Sequence, residues 1–522
     1  MPPVEDDNVE PEPPDKGQWI PYESAKIPFL SGDSARRALK TRWTVFRPLH
    51  RPLLSGRTTV GEVLVVGLCV TLSTLLSTLD VVNHDLNASG TLAVLVLGFV
   101  YFLSARDSLL ALLAGIPFER ALIYHKLSAL VSIVIGFAHG LIFYFWGRRP
   151  DRRFPDETRA PGGIGLSDTD AVTGWLLEFV MLFLLITAQA PIRRYLFELF
   201  YRLHVVFMVA CVALAFVHPG TDVIFGLLLY VFDAGIRVMQ RTTCRKDCYV
   251  ERLPGQVIRL RFSKGNLKYR AGQYLFVMIP ELSIWEWHPF SISSAPSEQH
   301  VSIHVRVLGD WTKTLANKAE SWTNPIRTYV EGPYGDCSVD IDSDAYSCFL
   351  VVSGGIGITP MQSITNELLA QRQRGRRIDK IWFVWSVRDR DMMDAFYPND
   401  PSSVASMRED PALPAVFSPD NLSEHCDSNN PIGGDPLYSE FFMTRVRDPS
   451  QYSPSHPCLR FGRPDWQQIF TRMRQLAADA GVKRVAVLVC GPGGLVGDVA
   501  ANSASHSDAA VTFDFHAETF LF

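Results

Sequence analysis

ALIYHKLSALVSIVIGFAHGLIFYFW, residues 121–146, is an apolar stretch interrupted by His125 and His139. Residues 201–218 repeat the device, with His204 and His218 also fourteen positions apart. At about 100° per residue, fourteen residues return to within about 40° of the same helix face and advance roughly 21 Å along the axis. Each helix therefore carries one imidazole near each end of a hydrocarbon core. Two such helices face to face would clamp two flat iron cofactors, one above the other, by bis-histidine axial ligation. One histidine in a membrane helix is equally well explained by burial against a neighbour or by a cavity. Four at identical paired spacing are different, because ionisable groups in hydrocarbon are expensive and mark function.

Working outward, the 522 residues suffice for three or more domains, and the net charge of −4 gives no reason to expect nucleic acid. The 47% hydrophobic content is uneven: long apolar runs fill the first half, and the second has the composition of a soluble α/β protein. Nine cysteines form no short framework, which suits a reducing compartment for the soluble half. Cys244 and Cys248 have no second pair to complete a metal site.

Residues 1–57 are proline-rich and acidic, then basic from Arg36 to Arg57, and are expected to form a disordered cytosolic tail without a cleavable signal. Six apolar runs follow, near 60–80, 91–115, 121–146, 172–191, 200–218 and 222–240, predicting a six-helix transmembrane domain over 58–241. With the amino terminus inside, His125 and His204 lie towards the cytosol, and His139 and His218 towards the outside. The arginine-rich loop 147–160 would then lie outside, against the positive-inside rule. The sequon Asn87-Ala88-Ser89 fits an outside loop. Arg106, beside Asp107 in the second run, has several readings: snorkelling, local pairing, compensation of haem propionates, or attraction of an anionic species.

The soluble half begins as β structure, with strand-like runs at 256–262, 269–279, 301–307 and 327–330, which predict a small antiparallel barrel over 242–343. From Cys348 strands alternate with helices, so 344–522 is expected to be an α/β domain on a parallel sheet. The polar segment 389–462 is too long for an ordinary connection and is taken as a flexible insertion. SGGIGITP, residues 353–360, follows a strand and opens a helix. Gly354, Gly355 and Gly357 let the backbone approach a pyrophosphate, and the helix start at Thr359 and Pro360 supplies a favourable dipole. HPFSISSAP, residues 288–296, ends a barrel strand with aromatic and hydroxyl groups suited to a flavin ring and phosphate. Cys490, Gly491, Pro492 and Gly493 cap the last parallel strand, where a ligand is expected.

Together these motifs resemble the NADPH oxidase and ferric-chelate reductase superfamily, over nearly everything after residue 60. The resemblance implies a six-helix transmembrane haem-binding bundle followed by a ferredoxin-reductase-like barrel for FAD and an α/β domain for NADPH. It implies His125 and His204 as ligands of an inner b-type haem and His139 and His218 of an outer one. His288, Pro289, Phe290, Ser291 and Ser293 fall in the flavin motif, and Ser291 would stand near the flavin. Gly354, Gly355, Gly357, Thr359 and Pro360, with Cys490, Gly491 and Pro492, fall in the NADPH motifs. Arg388 falls where the family binds the 2′-phosphate, and Phe520 matches an aromatic usually found at the terminus, with Leu521 and Phe522 beyond it. Cys490, Ser291 and Arg106 are the candidate catalytic residues.

The implied activity is electron transfer from cytosolic NADPH through FAD and two haems across a membrane, expected to be the plasma membrane. Reduction of oxygen to superoxide at the outer face is the leading reading, and ferric-chelate reduction is the runner-up. Oxidases commonly carry another histidine one turn beyond the outer ligand, where this chain has Phe143. The link after His218 is also short. A scaffold or channel with a vestigial soluble half is the third reading, opposed by the intact motifs. The expected partners are a small-molecule acceptor and membrane lipid. No regulatory protein is indicated, and no EF-hand loop is present.

Overall fold

The computed structural model describes residues 86–106, 118–144, 168–218, 223–335, 339, 341–342, 344–388, 390–396, 436–445 and 458–518, with isolated positions between 52 and 82. Nearly all of the expected tail, most of the first apolar run, the loop 147–160 and the centre of the 389–462 insertion lie outside those residues. The chain divides into two compact units. The helical unit comprises Trp43–Cys244, Tyr329–Gly335 and Phe520–Phe522. The second unit holds Met1–Arg42, Arg245–Thr328 and Asp336–Thr519.

In the helical unit, α1 (Leu86–Leu103), α2 (Phe118–Ile142), α3 (Asp168–Thr187), the short α4 (Ala190–Tyr195), α5 (Phe197–Val217) and α6 (Val223–Ile236) follow one another. A π-helical turn, Arg237–Arg241, ends the series. Ala121–Ile142 and Phe197–Val217 are, among the described residues, the two helical stretches long and apolar enough to cross a bilayer; Gly90–Leu103 and Ala171–Thr187 are apolar but shorter. Leu97, Tyr101, Ile133, Met181, Cys211 and Ala215 form part of the core between the helices. At the α1–α6 crossing a Cβ on Gly226 would lie 1.9 Å from the Gly98 carbonyl oxygen, so only glycine permits that approach.

In the second unit, β1 (Thr242–Leu253), β2 (Val257–Ser263), β3 (Tyr274–Met278), β4 (His288–Ser291), β5 (His300–Arg306), α7 (Asp310–Ala319) and β6 (Ile326–Tyr334) come first; β1 and β6 run across the division between the units. The strand order is β4-β3-β6-β1-β2-β5. An antiparallel bridge between Ile292 and Ile303 joins the two edges. The Ser293 amide donates to the Ser302 carbonyl at 2.8 Å beside it, closing the sheet into a barrel.

The remaining elements are β7 (Cys348–Gly354), α8 (Ile358–Gln373), β8 (Lys380–Val387), α9 (Arg390–Asp394), β9 (Leu437–Met443), β10 (Leu459–Phe461), α10 (Trp466–Asp479), β11 (Arg484–Cys490), α11 (Gly493–Ser505) and β12 (Thr512–Glu518). Their parallel sheet has the order β10-β9-β8-β7-β11-β12. Both faces are buried: Phe349, Val351 and Phe383 pack into one apolar cluster, and Leu350, Val352 and Val487 into the other. The order reverses between β7 and β11, which makes that boundary the topological switch point.

Several expectations shift. Within the second apolar run, placed at 91–115, α1 ends at Leu103, and 107–115 lie outside the described residues. At the helix end the amides of Ser104 and Ala105 turn back onto Tyr101 and Phe102, at 3.2 Å each. The strand expected at 269–279 begins at Tyr274, because Gly272 takes a positive φ of 88° and the Gln273 amide donates to the Arg270 carbonyl in a turn. Strand β1, with the charge-rich sequence TTCRKDCYVERL, and helix α7 were not anticipated. Among the described cysteines, Cys211, Cys244, Cys248, Cys348 and Cys490 are free and Cys458 is disulfide-bonded.

Candidate functional site

The four histidines of the helical unit come together in two pairs. The rings of His125 and His204 have centroids 6.3 Å apart and planes at 62°; those of His139 and His218 are 6.1 Å apart at 76°. Two metal–nitrogen bonds of about 2 Å each, plus the distance from nitrogen to ring centre on either side, sum to roughly 6 Å. Each pair therefore leaves room for one metal atom between two imidazoles. His125 Nδ1 lies 2.9 Å from the Val100 carbonyl oxygen; donating there leaves Nε2 as the free lone pair a metal requires. His204 Nδ1 is buried without a partner among the described residues. His218 Nδ1 lies 3.4 Å from Thr173 Oγ1.

Neighbouring glycines seat the outer pair. A Cβ on Gly90 would lie 3.0 Å from His139 Cε1, and one on Gly174 would lie 2.8 Å from His218 Cε1. Neither stands out in the sequence, although each lies on a helix that packs against a histidine-bearing one.

At the switch point, Ser353 of β7 pairs with Cys490 of β11, so the turns that follow the two strands are neighbours. A Cβ on Gly357 would lie 2.4 Å from the Cys490 carbonyl oxygen, and one on Gly354 would lie 2.7 Å from Pro492 Cδ. Gly355 has a φ of +57° and its carbonyl accepts from Trp385 Nε1 at 3.0 Å. The result is a bare backbone cradle at the amino end of α8, suited to a phosphate-bearing ligand. Thr359 and Pro360 lie in its first turn; the Thr359 hydroxyl donates back to the Ile356 carbonyl at 3.1 Å. Cys490 is 1% exposed, and burial, then Glu518, pushes its thiol up, so it is protonated and packed under Gly357. Arg388 is exposed just beyond β8, at the same carboxyl edge of the sheet. Arg306 of β5, absent from the expected site, brings Nη1 to 4.0 Å from the Cβ position of Gly355. Its signal was an arginine at the end of an alternating strand.

The stretch from His288 to Ser291 is β4, and Pro289 sits there on the edge strand that tolerates it. His288 and Phe290 lie against Trp311 of α7, with ring centroids 4.3 and 5.9 Å away. The buried Trp311 Nε1 has no partner among the described residues, leaving an aromatic platform with an unused donor that fits a flat heteroaromatic ligand. Trp311 was missed because α7 was. Ser291 is buried at 6% exposure. Ser293 is wholly buried, its Oγ accepting from the His304 amide at 3.2 Å and lying 2.9 Å from His304 Nδ1. It therefore shapes the turn. Ser363 of α8 donates to the Ser294 carbonyl at 2.6 Å, and the Ser297 amide to Glu367 at 3.0 Å, which ties the turn to the helix that follows β7.

His304 gives a pH prediction. Burial, helped by Arg259, pushes its imidazole from 6.5 down to about 3. Between those values the unfolded chain binds a proton that the folded barrel refuses, so stability falls as pH drops below 6.5, by about 1 kcal/mol per pH unit or slightly more. Thermal unfolding at pH 7.5 and 5.5 should show this loss, and His304→Gln should diminish it; equal losses in both proteins contradict the assignment.

Arg106 lies past the end of α1, and its Nη1 donates to Glu331 Oε1 at 2.8 Å. Glu331 belongs to the helical unit through Tyr329–Gly335. Phe520 lies outside the described residues.

Residues 89–215 match the family described as "Ferric reductase like transmembrane component". Residues 243–338 match an "FAD-binding domain", and 346–399 with 423–504 a "Ferric reductase NAD binding domain". "Ferric reduction oxidase 7, chloroplastic" of Arabidopsis thaliana is 31% identical over 60% of this chain and 44% of its own length. A superoxide-generating NADPH oxidase heavy chain of Dictyostelium discoideum is 27% identical over 77% of this chain and 81% of its own. "NADPH oxidase 1" of Mus musculus is 29% identical over 58% and 51%. The chain thus spans about half the length of two of these three curated relatives. A ferredoxin NADP+ reductase structure from Neisseria gonorrhoeae, with bound FAD and NADP, aligns with a TM-score of 0.36 and 14% identity over 53% of this chain and 98% of that one.

Proposed function

The chain belongs to the NADPH oxidase and ferric reductase superfamily, and from that premise we propose that it is a multi-pass membrane oxidoreductase using cytosolic NADPH to reduce oxygen to superoxide on the opposite face. The observation that carries the reading is the pairing of four histidines, at 6.3 and 6.1 Å, on α2 and α5. When bound, FAD converts a two-electron donor into single electrons and two b-type haems carry them through the bilayer. His125 and His204 would hold the inner haem, and His139 and His218 the outer, within a six-helix bundle in the plasma membrane whose amino terminus is cytosolic.

The residues of the second unit bind and orient. Gly354, Gly355 and Gly357, with the start of α8 and the turn Cys490, Gly491 and Pro492, would offer backbone to the NADPH diphosphate, and Arg388 would meet its 2′-phosphate. His288, Pro289, Phe290 and Ser291, with Trp311, would form the flavin platform. Cys490, protonated and buried, excludes water beneath the cradle. Arg106 is held by Glu331, so its role is to fix the end of α1.

Oxygen as acceptor is supported by the Dictyostelium relative, which aligns over 81% of its length and whose name describes superoxide generation. A second reading, ferric-chelate reduction, is favoured by the match over 89–215, by the Arabidopsis relative, and by Phe143 where many oxidases place a histidine. Membranes given NADPH and FAD separate the two. A superoxide-dismutase-sensitive signal in air with little anaerobic Fe(III)-chelate reduction is the expected result, and the opposite pattern establishes the metal reductase instead.

A further inference from the structure

Glu178 is a carboxylate on α3, one of the apolar helices, and no hydrogen bond or ion pair joins it to another described residue. Its Oε2 rests against α2, where a Cβ on Gly136 would lie 2.6 Å away. Gly136 precedes His139 by three residues, and Glu178 follows Gly174, the glycine against His218, by four. One turn of helix therefore sets the carboxylate about 5 to 6 Å inward of the outer imidazole pair. From α5 it is faced by Cys211, midway between His204 and His218, 1% exposed and close enough to interact with it electrostatically.

The uncharged titratable groups on the neighbouring helices include the four histidines, Tyr124 and Tyr201 of α2 and α5, and Tyr101 of α1, whose hydroxyl donates to the Met208 carbonyl at 3.0 Å. The charged side chains of α2 and α5 in the described spans, such as Lys126, Glu198 and Arg202, lie towards the inner ends; Lys126 is ten residues from Gly136. A carboxylate without a cationic partner in hydrocarbon is costly and marks function. At low dielectric its charge acts most strongly on the nearer, outer imidazole pair.

We propose that Glu178 is a proton-linked tuning group for the outer electron-carrying site, a role that rests on the haem-ligating reading of the histidine pairs. With that site oxidised, Glu178 is a carboxylate. Whenever that site would take one of the two electrons that NADPH supplies through FAD, Glu178 would gain one proton as a new O–H bond, a solvent water O–H bond breaking and its hydroxide staying in solvent, so the buried charge would stay constant. An ionised Glu178 favours the oxidised iron and lowers the potential; a protonated one releases it.

The test is a spectroelectrochemical titration of the purified full chain, loaded with haem and FAD, at pH 6, 7 and 8. In the wild type one of the two haem potentials falls with rising pH by up to about 59 mV per unit, a tenfold change in equilibrium constant for a one-electron couple. Glu178→Gln raises that potential at pH 8 and removes most of its slope, leaving the other potential nearly unchanged. Should that variant fail to load haem, Glu178→Thr makes the same measurement. Potentials independent of pH in a wild type with two haems, or an unchanged slope in either neutral variant, overturn the role of Glu178 alone. A folded chain that binds no haem overturns the functional reading and this inference with it.

Discussion

Gly357→Ala is expected to lower NADPH-driven dye reduction about 100-fold while FAD content stays close to normal. The new methyl would stand 2.4 Å from the carbonyl oxygen of Cys490, 2.7 Å from its carbonyl carbon and 3.0 Å from its Sγ. Neither backbone can yield easily, because β7 and β11 are adjacent in the central sheet and Ser353 is in register with Cys490. The clash is therefore relieved by moving the turn and the first residues of α8. A displacement of about 1 Å in a positioning element costs on the order of 100-fold in rate. The aromatic platform of His288, Phe290 and Trp311 is built on other elements and keeps its packing. Steady-state reduction of a soluble dye by NADPH, with FAD measured on the same sample, checks this; activity within threefold of wild type would show that the cradle is not the nucleotide site.

Glu331→Gln is expected to destabilise the helical unit by about 3 kcal/mol. Glu331 Oε1 accepts from Arg106 Nη1 at 2.8 Å, from Arg237 Nη1 at 3.2 Å and from the Tyr334 hydroxyl at 2.7 Å. Arg237 Nε also donates to Asp233 Oδ2 at 2.8 Å. Burial alone would push the Glu331 carboxyl up, but Arg106, the Tyr334 hydroxyl and Arg237 outweigh it and hold the group below the usual carboxylate range. Its stabilisation is thus full above about pH 4.5 and is lost as pH falls through the lower folded value. The amide keeps the shape and removes the charge that the two mostly buried arginines share. Thermal unfolding in detergent at pH 7 should drop by several degrees. A midpoint within one degree of wild type would mean that solvent already compensates the arginines.

The histidine pairing and the glycine turns were legible because each depends on local periodicity: fourteen residues on a helix, or a strand running into a turn and a helix. The acceptor reading was less accessible, since Phe143 and the short link after His218 are single positions whose effect depends on what surrounds them. The 242–253 strand escaped because its residues alternate poorly between apolar and polar; it pairs with its hairpin partner β2 through backbone hydrogen bonds that carry no side-chain signature. Trp311 escaped with the unanticipated helix that carries it.

Sequence alone determined which chemistry-bearing residues this protein has and which of them share a helix face or a turn, because helical and strand geometry fix short-range spacing. Only the tertiary structure decided their partners. It set Glu331 between Arg106 and Arg237, residues separated from it by 225 and 94 positions. It put Cys490 beneath Gly357, and Glu178 against Gly136. Those meetings depend on how helices cross and strands order themselves, and packing many side chains at once settles them where no local pattern can.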